Sequence, residues 1–598
     1  DTATAFVAGS NDTIDTTNKA YWTPATNAND AALDAFTVKA RDNDGALSHT
    51  AIQTTVEVTN VNDSLLWPVQ IKGIDISDGS GNSISSAGDV DGDGYDDVII
   101  GARRADPDGA KSAGESYLVF GSALAAEASD DGIIDLATLA ASEGVLIKGI
   151  DDNDQSGFSV SSAGDVDNDG RDDVIIGARQ ADPDDRNGAG ESYLIFGSAL
   201  AAEASADGIL DLATLTASEG VLIKGIDEDD FSGAAVASAG DIDGDGHDDV
   251  IIGASLADPD DVQDAGESYL LFGSALAAEA SADGILDLAT LAANEGVLIK
   301  GIDQTDLSGL PVSPAGDVDG DGHGDIIIGA SRADPDGDTS AGESYLVFGS
   351  ALAAETSDDG IIELATLTAS EGVLIKGIAA GDESGFSVSS AGDVDGDGYD
   401  DVIIGAYLAD PDNAASAGES YLVFGSALTA EVSGDGILDL ATLAASEGVR
   451  IKGIDAGDES GFSVSSAGDV DGDGYDDVII GASLADPDGT SDAGESYLVF
   501  GSALTAEVSG DGILDLATLT TSQGVLIKGI DAGDGTGFSV SSAGDVDGDG
   551  YDDVIIGASL ADPDDVASAG ESYIVSGALL TNEKSDDGII DLANYSFA

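Results

Sequence analysis

A phrase of the form SAGDVDGDGYDDVIIGA occurs seven times in this chain of 598 residues. Its first loop aspartate recurs every 76 residues without exception, and this fixed period constrains the fold more than any other feature. A fixed period predicts that each repeat is the same structural unit, because loosely related modules would drift in length. The seven positions are Asp89, Asp165, Asp241, Asp317, Asp393, Asp469 and Asp545.

The sixth repeat shows the strand pattern of one unit. The alternating segment 462–467 (FSVSSA) predicts a half-buried strand, and the β-branched segment 478–482 (VIIGA) predicts a strand buried on both faces. Segments 496–500 (SYLVF) and 525–530 (VLIKGI) predict a third and a fourth strand. Pro487, in the phrase ADPD, marks a turn between the second and third strands. The DLATL stretch ahead of the fourth strand fits either a short helical turn or a strand.

Four antiparallel strands in each of seven units predict an all-β fold, a seven-bladed β-propeller of four-stranded blades. A linear array is the alternative, and the two ends of the repeat region decide between them. The tetrapeptide IKGI occurs seven times, first at 71–74 ahead of the first unit, whereas the seventh unit lacks one at its end. In a ring this N-terminal strand completes the last blade and removes the unpaired edges. The sequence therefore predicts a propeller closed by an N-terminal strand.

Each unit carries a loop of the form D-x-D-G-D-G-x-x-D between its first and second strands. Alternate positions can direct oxygen atoms to one point, and glycine permits the sharp turn. Hard carboxylate and carbonyl oxygens select Ca²⁺ over softer metals. Four carboxylates this close in sequence would also repel one another without a cation. We therefore expect about seven Ca²⁺ ions, one per blade; an acidic, solvated turn without metal is the alternative.

The expected ligands are the aspartate side chains at loop positions one, three, five and nine and the main-chain carbonyl at position seven. They are Asp89, Asp91, Asp93, Tyr95 and Asp97; Asp165, Asp167, Asp169, Arg171 and Asp173; Asp241, Asp243, Asp245, His247 and Asp249; Asp317, Asp319, Asp321, His323 and Asp325; Asp393, Asp395, Asp397, Tyr399 and Asp401; Asp469, Asp471, Asp473, Tyr475 and Asp477; and Asp545, Asp547, Asp549, Tyr551 and Asp553. The loop is not an EF-hand, because position 12 is Ile100 and not Glu.

Some units depart from this pattern without losing a carboxylate ligand. In the second unit Asn168 replaces the first loop glycine. In the fourth unit Gly324 replaces an aspartate that is not an expected ligand, and Pro311 and Pro314 interrupt the first strand. Asn82 stands where four of the other six units have Phe. We expect all seven loops to bind calcium. The second and fourth units differ most in sequence from the rest.

The segment 461–482 (GFSVSSAGDVDGDGYDDVIIGA) resembles the core of the FG-GAP repeat of integrin α-subunit propellers and their bacterial relatives. The resemblance covers roughly residues 66–598. It implies a seven-bladed propeller with calcium between the first and second strands of each blade, and ligands that often bind the opposite face. The repeats here are longer than is usual in that family, and the added length lies between the third and fourth strands, at 501–524.

The formal net charge is −98, from 117 acidic and 19 basic residues. This charge excludes a nucleic-acid surface and disfavours an anionic membrane, so the expected partners are cations, cationic surfaces or neutral glycans. There is no Cys, hence no disulfide and no thiolate metal site. There is no Met either, so we expect Asp1 to begin a processed product or fragment whose signal peptide is missing. No apolar run is long enough to span a membrane.

The loops on the face opposite the calcium loops vary between repeats. Between the second and third strands the sequence reads GAKS at 109–112 and DRNG at 185–188. Between the fourth and first strands, Phe231 and Leu307 occupy equivalent positions. Alternating strand directions place both sets of loops on one face. This variation fits either relaxed constraint on exposed loops or a surface that recognises a glycan or protein ligand.

Two further recurrent features have structural interpretations. The ADPD turns, with Asp106 and Asp108 in the first unit, fit either Asp-Pro turns or a second set of metal sites. The seven IKGI lysines, from Lys72 to Lys528, are expected to pair with neighbouring carboxylates and not to form an anion site.

The sequence gives little support to catalysis. The histidines are His49, His247 and His323, and the last two replace Tyr at loop position seven, which makes them look incidental. A catalytic site needs unlike residues that converge at one place, whereas nearly every polar residue here has six equivalents. We therefore expect no enzyme in this chain, although a partner domain outside it could be one.

Residues 1–62 do not belong to the repeat, whose domain we expect to span 63–598. The segment 35–63 (AFTVKARDNDGALSHTAIQTTVEVTNVND) predicts two alternating strands around a D-N-D-G turn. It resembles the closing half of the cadherin-like modules of large bacterial surface adhesins, which implies a small β-sandwich-like fragment. The missing strands would be trimmed, or supplied by a neighbouring molecule in a filament formed by strand exchange.

Two functions from different classes follow from these features. The first is a calcium-binding extracellular propeller that acts as an adhesion or ligand-binding module of a secreted bacterial surface protein. The second is a structural subunit of an extracellular filament or assembly, with no external ligand.

Overall fold

The repeat region and the segment before it form separate units. A computed structural model describes residues 68–127, 132–357, 359–584 and 586–595, and the backbone of two N-terminal strands, Leu33–Val38 and Ile52–Val56. These two strands pair antiparallel within a unit of residues 1–63, whereas residues 64–598 form the second unit. The turn between the two strands and the rest of the expected cadherin-like fragment lie outside the described residues.

Seven sheets of five strands each make up the second unit, one sheet per repeat. The first four strands of each sheet are antiparallel, and they correspond to the four strands expected from the sequence. The all-β, seven-bladed propeller is therefore confirmed.

The first strands are Ser83–Gly88, Ser159–Gly164, Ala235–Gly240, Val312–Gly316, Ser387–Gly392, Ser463–Gly468 and Ser539–Gly544. The second strands are Asp97–Ala102, Asp173–Ala178, Asp249–Ala254, Asp325–Ala330, Asp401–Ala406, Asp477–Ala482 and Asp553–Ala558. The third strands are Glu115–Val119, Glu191–Ile195, Glu267–Leu271, Glu343–Val347, Glu419–Val423, Glu495–Val499 and Glu571–Val575. The fourth strands are Gly144–Lys148, Gly220–Lys224, Gly296–Lys300, Gly372–Lys376, Gly448–Lys452, Gly524–Lys528 and, for blade 7, Val69–Lys72.

A fifth, outer strand extends each expected four-stranded blade, and it comes from the following repeat. Ile209–Asp211 of the second repeat pairs parallel with the fourth strand of blade 1, and the other blades follow the same rule. The outer strands of blades 1 to 7 are Ile209–Asp211, Ile285–Asp287, Ile361–Glu363, Ile437–Asp439, Ile513–Asp515, Ile589–Asp591 and Ile133–Asp135. A 3₁₀ turn follows each one, for example Leu136–Thr138, so the stretch that contains DLATL forms both a strand and a helical turn.

The added length between the third and fourth strands also contains a short helix that the sequence analysis did not anticipate. Seven such helices are described: Gly121–Glu127, Gly197–Glu203, Gly273–Glu279, Gly349–Glu355, Gly425–Glu431, Gly501–Glu507 and Gly577–Glu583. Among the described residues there is no helix of the length and apolarity that crossing a membrane requires.

The N-terminal strand closes the ring, as the displaced IKGI motif predicts. Val69–Lys72 lies between Glu571–Val575 of the seventh repeat, to which it is antiparallel, and Ile133–Asp135 of the first repeat, to which it is parallel. The first strands of neighbouring blades contact one another around the whole circle, including the last against the first. The first strands therefore form the inner ring.

Hydrophobic clusters fill the spaces between neighbouring blades. The cluster between blades 7 and 1 joins Ile71, Ile555 and Ile574 to Ile100 and Tyr117. The second strands, of sequence DVIIGA or, in blade 4, DIIIGA, are buried along their full length because a neighbouring blade covers each of their faces. Blade-to-blade packing is thus the core of the molecule.

Two faces result from this topology. We call the face that carries the Asp-rich loops, between the first and second strands, the loop face. The short helices lie on it too, because Gly121 at the start of the first helix donates a hydrogen bond to Asp97. We call the opposite face, with the connections between second and third and between fourth and first strands, the far face.

We expect closure of the ring to depend on the side chain of Ile71. It is fully buried, so truncation in Ile71→Ala should lower the free energy of unfolding by about 2–5 kcal/mol. The control is Ile76→Ala, because Ile76 is 70% exposed and its truncation should be close to neutral. Urea unfolding of both variants measures the difference, and equal small effects would contradict closure by this strand.

Candidate metal centres

The structure brings three of the four expected carboxylates of a loop together, without position nine in the first loop and without position five in the second to fifth loops. In the first loop, oxygens of Asp89, Asp91 and Asp93 lie within 4.8 Å of one another. In the second loop the group is Asp165, Asp167 and Asp173, and equivalent groups at positions one, three and nine occur in the third to fifth loops. Two further groups bring the number to seven. Each blade therefore has a cluster of aspartates that fits a divalent cation.

Main-chain amides fold each loop around its own carboxylates. The amide of Asp93 donates to Oδ1 of Asp89 at 2.9 Å and to Oδ1 of Asp91 at 3.0 Å. The amide of Tyr95 donates to Oδ1 of Asp93 at 3.1 Å. The same bonds recur in the other loops, including the second, where Asn168 adopts the left-handed conformation (φ 56°) that glycine adopts elsewhere. The substitution therefore leaves the loop intact.

The aspartate at position nine is the buried floor of each loop. Asp97 is fully buried, and it accepts hydrogen bonds from the amides of Val90 (3.0 Å) and Gly121 (2.9 Å). Burial raises the pKa of this carboxyl to about 8, against the opposing effect of the two amides, and nearby Asp91 adds repulsion. Its counterparts have the same two bonds: Asp173, Asp249, Asp325, Asp401, Asp477 and Asp553.

The residues present fit a hard cation. The donor set consists of carboxylate oxygens, and a buried carboxyl with a raised pKa is stabilised by a positive charge beside it. In the seventh loop, Oδ2 of Asp549 is buried and has no hydrogen-bond partner, which is an oxygen that a cation would satisfy. The carbonyl ligands at position seven stay a prediction.

The side chains at position seven link each loop to the preceding blade. His247 and His323 place Nδ1 2.7 Å from the carbonyl oxygens of Val166 and Ile242. Arg171 donates to the carbonyl of Val90 at 3.3 Å. The two histidines are therefore not incidental, as the sequence suggested, because each makes a hydrogen bond between blades.

The aspartate at position eight is a functional residue that sequence reasoning missed. Asp172 accepts a hydrogen bond at 2.8 Å from the amide of Asp89, the first loop residue of the preceding blade. Five other blade junctions have this bond, made by Asp96, Asp248, Asp400, Asp476 and Asp552. At the junction of blades 3 and 4 the position is Gly324. The recurrence of an aspartate beside the ligand at position nine was the available signal.

The sixth loop has an additional internal cation. The ammonium group of Lys584, at the end of the seventh helix, contacts Oδ2 of Asp471 and lies 3.9 Å from the ring centroid of Phe500. Burial lowers the pKa of Lys584. The equivalent residues of the second and third repeats are Ala204 and Ala280. Part of the negative charge of the sixth loop is thus neutralised from within the chain.

On the far face, the recurrent lysines pair as expected. Lys148 lies 3.0 Å from Asp108, and each of the other six IKGI lysines has an aspartate of an ADPD turn within 3.5 Å. The other aspartate of the turn accepts a main-chain hydrogen bond, as Asp106 does from Ser112 at 2.7 Å. Both carboxylates of the turn are therefore engaged within the protein, which favours the Asp-Pro turn over a second metal site.

We expect the position-eight aspartate to stabilise the ring. Asp172→Gly should lower the free energy of unfolding by roughly 1.5–3 kcal/mol, the range for a hydrogen bond to a charged group. The reverse change Gly324→Asp should stabilise the protein by about 1 kcal/mol, because it supplies the missing acceptor for Asp241. A Cβ at Gly324 would lie 3.3 Å from the carbonyl oxygen of Ala239, a tight contact that a shift of a few tenths of an ångström relieves. Thermal unfolding in calcium measures both, and a destabilising Gly324→Asp would contradict the assignment.

Comparison with known proteins agrees with this architecture. The FG-GAP repeat family matches residues 80–119, 156–195, 232–271, 312–347, 384–423, 460–499 and 536–575. Integrin alpha-PS2 of Drosophila melanogaster is 31% identical over 192 residues, which cover 31% of this chain and 12% of the relative. Integrin alpha pat-2 of Caenorhabditis elegans is 29% identical over 257 residues, which cover 41% of this chain and 17% of the relative. The chain thus spans less than a fifth of the relatives' length. With seven matching repeats on seven sheets, this chain carries an integrin-like FG-GAP propeller of seven blades.

Proposed function

We propose that the propeller is an extracellular, calcium-binding and non-enzymatic module that serves adhesion or ligand binding in a secreted bacterial surface protein. The observation that carries this proposal is the recurrence of one carboxylate cluster in every blade of an integrin-like propeller. With calcium bound, the clusters stabilise the loop face. The variable loops of the far face contact a glycan or protein ligand.

Calcium is the cation that this donor set supports best. We assign one Ca²⁺ to each loop, held by the carboxylates at positions one, three, five and nine and by the carbonyl at position seven, for example Asp89, Asp91, Asp93, Asp97 and Tyr95. Calcium accepts six to eight oxygen ligands in flexible geometry, which a nine-residue loop can provide. Bound calcium would offset the repulsion among carboxylates that the fold places within 4.8 Å.

We expect removal of calcium to destabilise the propeller strongly. Extracellular calcium-binding modules bind Ca²⁺ with dissociation constants of about 10⁻⁴–10⁻³ M. A single site held at 100 times its dissociation constant contributes about 2.7 kcal/mol, and seven sites act on one ring. Excess EDTA should therefore lower the melting temperature by tens of degrees, and added Ca²⁺ should restore it. Mg²⁺ at the same concentration is the control, and a melting curve unchanged by EDTA would refute structural calcium.

The ligand assignment rests on the difference between the two faces. The loop face repeats the same ligand carboxylates in all blades, whereas the far face changes from repeat to repeat, as at 109–112 and 185–188. A ligand surface requires such differences, because identical blades offer seven equal sites and no unique orientation. The alternative function is a structural subunit of an extracellular assembly, which the sequence of the N-terminal segment suggests through its resemblance to tandem adhesin modules.

A glycan and matrix-protein array separates the two functions. We expect the calcium-loaded chain to bind specific array members and to lose this binding in EDTA. Sedimentation velocity over a range of protein concentrations is the parallel measurement. Concentration-dependent polymerisation without any array binding would support the structural subunit and contradict the adhesion module.

A further inference from the structure

Two arginines lie side by side at the inner ring of the far face. Arg103 and Arg179 directly follow the second strands of blades 1 and 2, at the ends away from the Asp-rich loops. In four of the other five blades the same position is serine, and in the fifth it is Tyr407. The pair is therefore one of the few places where a sevenfold repeat becomes asymmetric. The serines are Ser255, Ser331, Ser483 and Ser559.

Aromatic rings hold both guanidinium groups. The guanidinium carbon of Arg179 lies 3.7 Å from the ring centroid of Phe158, and that of Arg103 lies 4.9 Å from the same centroid. A second ring, Phe231, lies 5.6 Å from Arg179. Phe158 immediately precedes the first strand of blade 2 and Phe231 belongs to the next connection of the same kind. Three adjacent blades thus contribute to one cluster of two cations and two rings.

Neither arginine has a carboxylate partner among the residues that the structure describes, although the chain has 117 acidic residues. The IKGI lysines, Arg186 and Arg450 form ion pairs, whereas Arg103 and Arg179 share the lack of one with other described basic residues such as Arg104 and Arg332. They differ from those two in being half-buried, because Arg104 and Arg332 are exposed. Nε of Arg179 is buried and has no hydrogen-bond partner. Burial lowers the pKa of Arg103 to about 10, and the neighbouring Arg104 and Arg179 add to this effect.

The sequence of the surrounding loops explains the missing partners. Blades 5 and 6 have Glu383 and Glu459 in the connection that precedes the first strand, and Glu383 accepts a hydrogen bond from Tyr407 at 3.1 Å. The equivalent residues near the arginines are Gly79, Gln155 and Phe231. Like charges placed together in a half-buried position cost free energy unless an anion neutralises them. The cluster is therefore incomplete without an external negative group.

We propose that Arg103 and Arg179, set against Phe158 and Phe231, form a binding site for a single carboxylate group of the far-face ligand. This inference rests on the proposed ligand-binding function and specifies the chemistry of the ligand. Guanidinium forks match a carboxylate with two parallel hydrogen bonds. We exclude a polyanion as the ligand, because a chain of net charge −98 repels each of its charges within the Debye screening length. A single carboxylate loses less free energy to this repulsion than it gains from contact with the two arginines.

Saturation-transfer NMR on the intact, calcium-loaded chain tests the site with benzoate as the probe. Benzamide is the neutral comparison, with the same ring and an uncharged group in place of the carboxylate. We expect benzoate to bind and benzamide not to bind. The double variant Arg103→Ser/Arg179→Ser should weaken benzoate binding about tenfold or more, because one hydrogen bond to a charged group is worth that factor.

The chain offers matched controls for these variants. Serine is the residue that four other blades have at this position, so the replacement fits the backbone, and an unchanged melting temperature confirms folding. Arg332→Ser removes an exposed arginine one position further along in blade 4 and should leave benzoate binding unchanged. Equal binding of benzoate and benzamide, or full benzoate binding by the double variant, would overturn the site. Benzoate binding by a chain that binds nothing on the array would refute the adhesion function and leave the site standing.

Discussion

The outer strand of every blade is supplied by the next repeat, so no repeat can satisfy its own backbone hydrogen bonds. Each blade must present its outer edge and its core face to a neighbour at the same angle, and seven equal angles must close a circle. A deletion within an outer strand would therefore disturb both the repeat that lends the strand and the blade that receives it. The closing strand Val69–Lys72 obeys the same rule, since it pairs with the seventh repeat and receives the outer strand of the first.

The charge of the chain is distributed according to the two faces of this ring. On the far face, each recurrent lysine neutralises an aspartate of an ADPD turn, so that face balances part of its own charge. On the loop face, the carboxylates accept hydrogen bonds from main-chain amides and crowd one another, and in the sixth loop a side-chain cation, Lys584, forms an ion pair with one of them. The position-nine aspartates are the most affected, because burial raises the pKa of Asp97 and of five of its equivalents to about 8 and raises that of Asp553 well above its usual range. We therefore expect the stability of the loop face to depend on a cation from outside, whereas the recurrent lysines of the far face are paired within the chain.

The periodic features could be predicted from the sequence, because they depend on the local pattern of apolar residues and on the number and position of the repeated motifs. The four main strands, the ring closure through IKGI and the pairing of the lysines are of this kind, and all are confirmed. The fifth strand could not be predicted, because Ile209–Asp211 is three residues long and acquires its partner only in the ring. The helix Gly121–Glu127 has one buried side and seven residues, too few for a helical period to be recognised.

Contacts between repeats escaped the sequence analysis for a related reason. Asp172 and His247 each bond to a residue of the preceding blade, more than 80 positions earlier in the chain. Neither residue has a predicted side-chain contact within its own loop. The sequence therefore indicates only that the Asp172 position is not a metal ligand and that the His247 side chain has no specific role. In a repeat protein, a recurrent residue without a local partner is a candidate for a contact between neighbouring repeats.

The inner ring of the far face is a place where the repeats differ in side chains that lie close together. In blades 5 to 7 the residues before the first strands are Phe386, Phe462 and Phe538, whose ring centroids are spaced 5.0 Å apart. Glu383 and Tyr407 add an acidic group to this aromatic row. Across the ring, Arg103 and Arg179 stand against Phe158. One side of the inner ring therefore carries two arginines and the other carries Glu383 beside an aromatic row, so repeats that are otherwise similar give the far face a difference in charge across the propeller axis. A ligand that lies across this axis meets unlike groups at its two ends, which is the asymmetry that recognition requires and that seven identical blades could not provide.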